Sequence, residues 1–197
     1  MSTIGSFCFA GSGGAPCADR GGRAIGAMFC AFFGALWFAG ACVLAGAARS
    51  WLLGLIGAAA LALFLVSYRV FRHNRAALRK QGDSPQGRRI RRAFALVNAM
   101  QWVATLAVVN ILANIGLSAW VVPSIILIVG LHFLPLARLF DYRPHYVSGI
   151  ALVLLALTYP WLSRSGPQDP AGCLGAGIVL WTTAAWSLSA ARRPDQT

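Results

Sequence analysis

The stretch YRVFRHNRAALRKQGDSPQGRRIRR, residues 68–92, decides how this chain is organised. Nine Arg or Lys side chains stand here against one carboxylate, Asp83, and apolar runs long enough to cross a bilayer lie on both sides. Such a cluster resists translocation, so it is expected to stay in the cytoplasm and to fix the direction in which every other segment crosses.

Composition points the same way. Of 197 residues, 58% are hydrophobic and only 11% charged, whereas a soluble domain carries about a quarter charged residues. In a soluble protein a net charge of +12 would suggest nucleic-acid binding. Here the basic residues flank apolar runs and form no stripe with aromatic stacking platforms, so the reading is topological anchoring, with no nucleic-acid partner. The preference for Arg over Lys, with many Ala and Gly, suggests a bacterial source of high GC content. Cys8, Cys17, Cys30, Cys42 and Cys173 show neither C-x-x-C nor Cys/His ligand spacing, and they read as tail thiols or small buried residues.

Hydropathy divides the chain into a disordered cytoplasmic tail over 1–23, six spans near 24–48, 51–71, 93–115, 119–140, 146–163 and 171–190, a basic loop over 72–92 and a second tail over 191–197. Each span is close to the ~20 residues that a bilayer core requires. The apolar run of the first is too long for a secretory signal, whose core is about 7 to 15 residues. With the amino terminus inside, 15 basic residues fall on inner segments and only Arg49 and Arg164 on outer ones. The expected fold is therefore an all-α, six-helix bundle in the bacterial cytoplasmic membrane with both termini cytoplasmic. The aromatics agree, with Trp51, Trp120 and Trp161 at the outer ends and Tyr68, Tyr142 and Tyr146 at the inner ends.

In the central loop, Arg72, Arg75 and Arg79 recur at helical spacing. The second span is thus expected to continue as a basic helix at the anionic lipid surface, with Arg72, Arg75, Arg79, Lys80, Arg88, Arg89, Arg91 and Arg92 as headgroup anchors. Ser84-Pro85 has the form of a helix start, although Gly87 weakens it, and Asp169-Pro170 repeats the signal. Small residues recur at four-residue spacing in Gly26/Cys30/Gly34, Ala27/Ala31/Ala35/Ala39, Gly54/Ala58/Ala62 and Gly172/Ala176. Such stripes let helix backbones approach closely, inside the bundle or against a second copy or another membrane partner.

Polar residues inside spans are the best pointers to function. Asn98 and Gln101 share one face of the third span, and His132 lies at a matching depth in the fourth. Pro135 frees the carbonyl of Leu131 beside His132. These four residues are the candidate solute-binding layer in the inner half of the bundle; the competing reading is interhelical glue. No carboxylate lies within a span, so an acidic proton or sodium relay is not expected. No cofactor motif is found, and His73, Asp141 and His145 match no metal-ligand spacing, which leans against an enzyme. Arg138 and Asp141, three apart, are expected to pair.

The segment Gly130-Leu131-His132-Phe133-Leu134-Pro135-Leu136-Ala137, with the aromatic-rich turn and apolar span that follow, resembles a segment of small uncharacterised bacterial multi-pass membrane proteins over about residues 125–160. The resemblance implies membrane location and a bacterial source, and carries over no catalytic role. The expectation is a protein that binds or passes a small solute. The alternative is a structural or assembly subunit packing through its Gly/Ala faces, and the third reading is a membrane-embedded enzyme.

Overall fold

A computed structural model describes residues 14–192, with side chains over 18–189. Six helices account for nearly all of it: α1 (Gly14–Leu44), α2 (Ser50–Asp83), α3 (Pro85–Asn114), α4 (Val121–Leu139), α5 (Arg143–Leu162) and α6 (Pro170–Arg192). Short 3-10 turns at Ser118–Trp120 and Gly166–Gln168 precede α4 and α6, and no strand occurs among the described residues. All six helices are long and apolar enough to cross a membrane.

The boundaries depart from the hydropathy reading where packing or turn chemistry outweighs polarity. Residues 14–23, expected as tail, belong to α1. Ala18 and Ala24 are buried there, and Gly21 seats the helix against α2, where an added Cβ would stand 3.5 Å from the Cβ atoms of Asn74 and Leu78. The remainder of that tail, residues 1–13, and residues 193–197 at the other end lie outside the described residues. At its other end α1 stops at Leu44, before the expected 48, because Gly46 takes φ 65, a left-handed conformation that costs glycine nothing.

The basic segment 72–92 is a helical hairpin: α2 continues through Arg72, Arg75 and Arg79 and α3 starts at Ser84-Pro85, as their spacing and cap signal predict. α2 runs 34 residues, about 51 Å at 1.5 Å per residue, so roughly 20 Å of it extends beyond the ~20 residues of a span. Ser84 caps α3 by accepting from the Gly87 amide at 3.0 Å, while its own hydroxyl donates to the Gln81 carbonyl at 2.6 Å. Gly87, read from sequence as a weakness of this helix start, makes the turn feasible. A Cβ here would lie 2.9 Å from Gly82 Cα and overlap the Gln81 carbonyl. Ser84→Ala is expected to cost about 1 kcal/mol, the usual worth of an N-cap, read as a lowered melting midpoint in detergent with the oligomeric state unchanged.

The core is shared by four helices. Ala27 and Cys30 of α1, Ile126 and Phe133 of α4, Leu152 and Tyr159 of α5, and Leu180 and Leu188 of α6 form one buried cluster. α2 lies along α1 and lends Leu63, Val66 and Val70 to the margin of this cluster. α3 packs on α4 from outside and gives nothing to the core; its sole buried residue is Gly87.

Glycines set the close crossings. α4 and α5 meet backbone to backbone, since a Cβ on Gly130 would lie 2.9 Å from Val153 N and one on Gly149 would lie 2.9 Å from Gly130 O. Between α1 and α6 the indole of Trp181 fills the space over Gly34 and donates from Nε1 to the Ala31 carbonyl at 3.0 Å. Reciprocally, Phe38 lies against Gly177 and meets Trp181 edge-on at 4.7 Å. Gly172 is covered by the Tyr159 ring, whereas Gly26 and Gly54 have nothing within 4 Å and Ala58 and Ala62 are exposed.

Candidate functional site

The site forms where α4 turns into α5, at the end of the bundle that carries the basic hairpin. α4 terminates because Asp141 adopts φ 45, a left-handed conformation that Asp and Asn tolerate better than most residues. The Tyr142 amide then bonds back to the Ala137 carbonyl at 3.0 Å, closing the helix as a Schellman turn. The expected Arg138–Asp141 pair does not form among the described residues, because the turn spends Asp141 on the chain reversal.

The reversal buries Tyr142 and places His145 in the first turn of α5. The His145 imidazole sits edge-on between two rings, Tyr142 at 4.9 Å and Phe133 at 5.5 Å. His132 also meets Phe133 edge-on, at 6.3 Å, so the two imidazoles border one phenyl ring. From α1, the Arg23 guanidinium covers the Tyr142 ring at 4.9 Å, a cation–π contact. α6 supplies hydroxyls, with the Tyr142 hydroxyl donating to Ser187 Oγ at 3.4 Å and Ser148 Oγ meeting Thr183 Oγ1 at 2.6 Å.

Both imidazoles are half-buried, and the Nδ1 atom of each is fully buried with no hydrogen-bond partner. An unmade bond at a buried polar atom costs about 1–3 kcal/mol, and orphans of this kind are uncommon enough to require an explanation. Both orphans belong to imidazoles that border the Phe133 ring.

The four sequence candidates fall on both sides of the α3–α4 seam. His132 reaches the backbone carbonyl of Val97 on α3. Asn98 and Gln101 are half-buried on that helix, and neither side chain hydrogen-bonds within the described residues. Pro135 is exposed and lines a separate groove between α3 and α4. Asn110 and Asn114 bond back to the carbonyls of Leu106 and Asn110 at 2.7 Å each. His73, Asp141 and His145 do not converge, since no group of three or more His, Cys, Asp or Glu side chains with metal-binding geometry occurs among the described residues.

Sequence reasoning did not bring His145 to His132, and it left Arg23 in a tail. A signal for the first was available. Counting outward along a hairpin that turns at Phe140–Asp141 sets Gly130 against Gly149 and brings His132 within about one helical turn of His145. Compared with known protein families, curated proteins and solved structures, the chain shows no significant match.

Proposed function

We propose that this chain is a six-span protein of the bacterial cytoplasmic membrane, both termini inside, that binds or passes a small polar solute at the His132–His145 end of the bundle. The observation that carries this reading is the pair of buried, unpartnered Nδ1 atoms. A neutral imidazole offers a donor at one nitrogen and an acceptor at the other, so the pair suits a solute with both functions, such as an amide, an alcohol or a weak acid. Arg23 beside Tyr142 favours a neutral or anionic solute over a cation. Asn98 and Gln101, their amides free of protein partners among the described residues, would meet the solute from α3. Orientation rests on the count of 15 basic residues against two across the proposed segments.

The test is a thermal-shift screen of small amides, alcohols and weak acids against the detergent-solubilised protein. A true ligand at about 100 times its dissociation constant stabilises the folded state by roughly 2.7 kcal/mol. His132→Ala and His145→Ala are expected to abolish that shift while leaving folded yield near wild type. Loss of folded protein in step with the shift would instead assign both histidines to structural glue.

A second reading, an assembly subunit, draws on one observation: Gly54 and Gly57 of α2 have nothing within 4 Å. A cysteine at Gly57 that crosslinks two copies in native membranes would favour it, and a crosslink-free monomer would count against it.

A further inference from the structure

Between α3 and α4, at the end bearing the basic hairpin, lies an open-sided groove of about 450 Å3 lined by Ala93, Val97, Leu134, Pro135, Arg138 and Leu139. Its volume falls within the roughly 300–1,000 Å3 typical of small-molecule sites. Five of its six lining residues are apolar and the sixth is a cation.

The charge at the mouth is concentrated and uncompensated. Arg138 is exposed, and Arg89, also exposed, lies four residues before Ala93 on the same face of α3. Neither forms an ion pair among the described residues. An apolar floor with guanidinium groups at one end complements a molecule with an anionic head and an apolar tail. A small polar solute would leave the floor unfilled, and a soluble anion would use only the rim. The arginines stand where the apolar run of α3 begins, which on the membrane reading is the level of the headgroups, and the cytoplasmic leaflet is the anionic one.

We infer that this groove is a binding site for one anionic phospholipid, its phosphate held by Arg138 with Arg89 and one acyl chain lying along Val97, Leu134 and Pro135. Guanidinium suits this role because its planar fork engages phosphate oxygens in pairs. The inference rests on the membrane reading and uses neither imidazole.

The experiment is native mass spectrometry of the full chain released from mild detergent after incubation with phosphatidylglycerol or with phosphatidylcholine of the same chains. Wild type is expected to retain phosphatidylglycerol in preference to phosphatidylcholine. Arg138→Gln should weaken retention about tenfold, the equivalent of one charge-assisted hydrogen-bonded contact. Val97→Phe should abolish retention by filling the floor, while Arg164→Gln, exposed at the opposite end of the bundle, should leave it unchanged. Arg138 is exposed, so its variant keeps the test intact even if Val97→Phe fails to fold. Equal retention of the two lipids, wild-type retention by folded Arg138→Gln, or displacement of the lipid by glycerol phosphate, which has no chains, would each overturn the inference. Carbonate extraction of cell membranes separates these outcomes from a failure of the membrane reading, which would release the protein into the aqueous fraction.

Discussion

Gly149→Val is expected to remove the folded protein from the membrane fraction. At this position even a Cβ would lie 2.9 Å from Gly130 O and 3.1 Å from Phe133 Cβ, and the atoms in the way are backbone or close to it. No rotamer change relieves that contact; α4 and α5 must separate. Separation would strip Ile126 and Phe133 from Leu152 and Ala156, all within one buried cluster. Overpacking a well-filled core costs about 1–3 kcal/mol when side chains can adjust. With backbone against backbone, the cost should exceed about 3 kcal/mol, a large fraction of a typical stability of 5–15 kcal/mol. The readout is folded yield and melting midpoint in detergent, with Gly149→Ala intermediate. Gly57→Val is the control, because Gly57 has nothing within 4 Å. If Gly149→Val melts with wild type, the crossing is not as close as described. Gly149 is four residues past His145, so the same variant should also pull that imidazole away from Phe133.

Trp181→Ala is expected to cost about 3 kcal/mol, the low end of the range for removing a core aromatic, because Trp181 is half-buried. The indole occupies the space over Gly34, bonds the Ala31 carbonyl at 3.0 Å and meets Phe38 at 4.7 Å. In lipid no hydrophobic force draws two helices together, so fitted contacts of this kind carry the association of α1 with α6. The pairing can be measured as a coupling. Gly34→Ala should destabilise the wild type, because its Cβ would overlap the indole. In the Trp181→Ala background it should become neutral or stabilise by roughly 0.5–1 kcal/mol, the usual helix preference for Ala over Gly. A double-mutant cycle should therefore give an interaction above about 1 kcal/mol; additive effects would show that the two residues do not share the space.

The helices were legible because this chain punctuates itself. Ser84-Pro85 and Asp169-Pro170 start helices as written, with Asp169 accepting from the Ala171 amide at 2.9 Å. Positive-φ glycines follow α1 and α3. What the sequence hid were partners. Gly34 and Gly54 sit in similar stripes, yet one is filled by a tryptophan far along the chain and the other by nothing. Helix packing of this sort leaves no trace in local spacing. The role of α3 was obscured for a related reason. A helix that meets lipid is apolar on its outer side as well, so hydrophobic periodicity does not distinguish core from lipid. Asn98 and Gln101 suggested an interior helix, but α3 lies outside the four-helix core. Within the site, His132 was visible as a polar residue in an apolar run. His145 was not, because its partner depends on the reversal at Asp141.

On the proposed function, a polar guest reaches His132 and His145 from the side of the basic hairpin. The most direct test is cysteine accessibility on a background without native cysteines, with single cysteines at His132, His145, Arg79 and Asn114. A membrane-impermeant thiol reagent is then applied to each face of oriented vesicles. The account predicts that cysteines at 132, 145 and 79 react from the same face and that the cysteine at 114 reacts only from the other. If the cysteine at 79 reacts while those at 132 and 145 remain unlabelled from both faces, the topology stands and the solute site is contradicted.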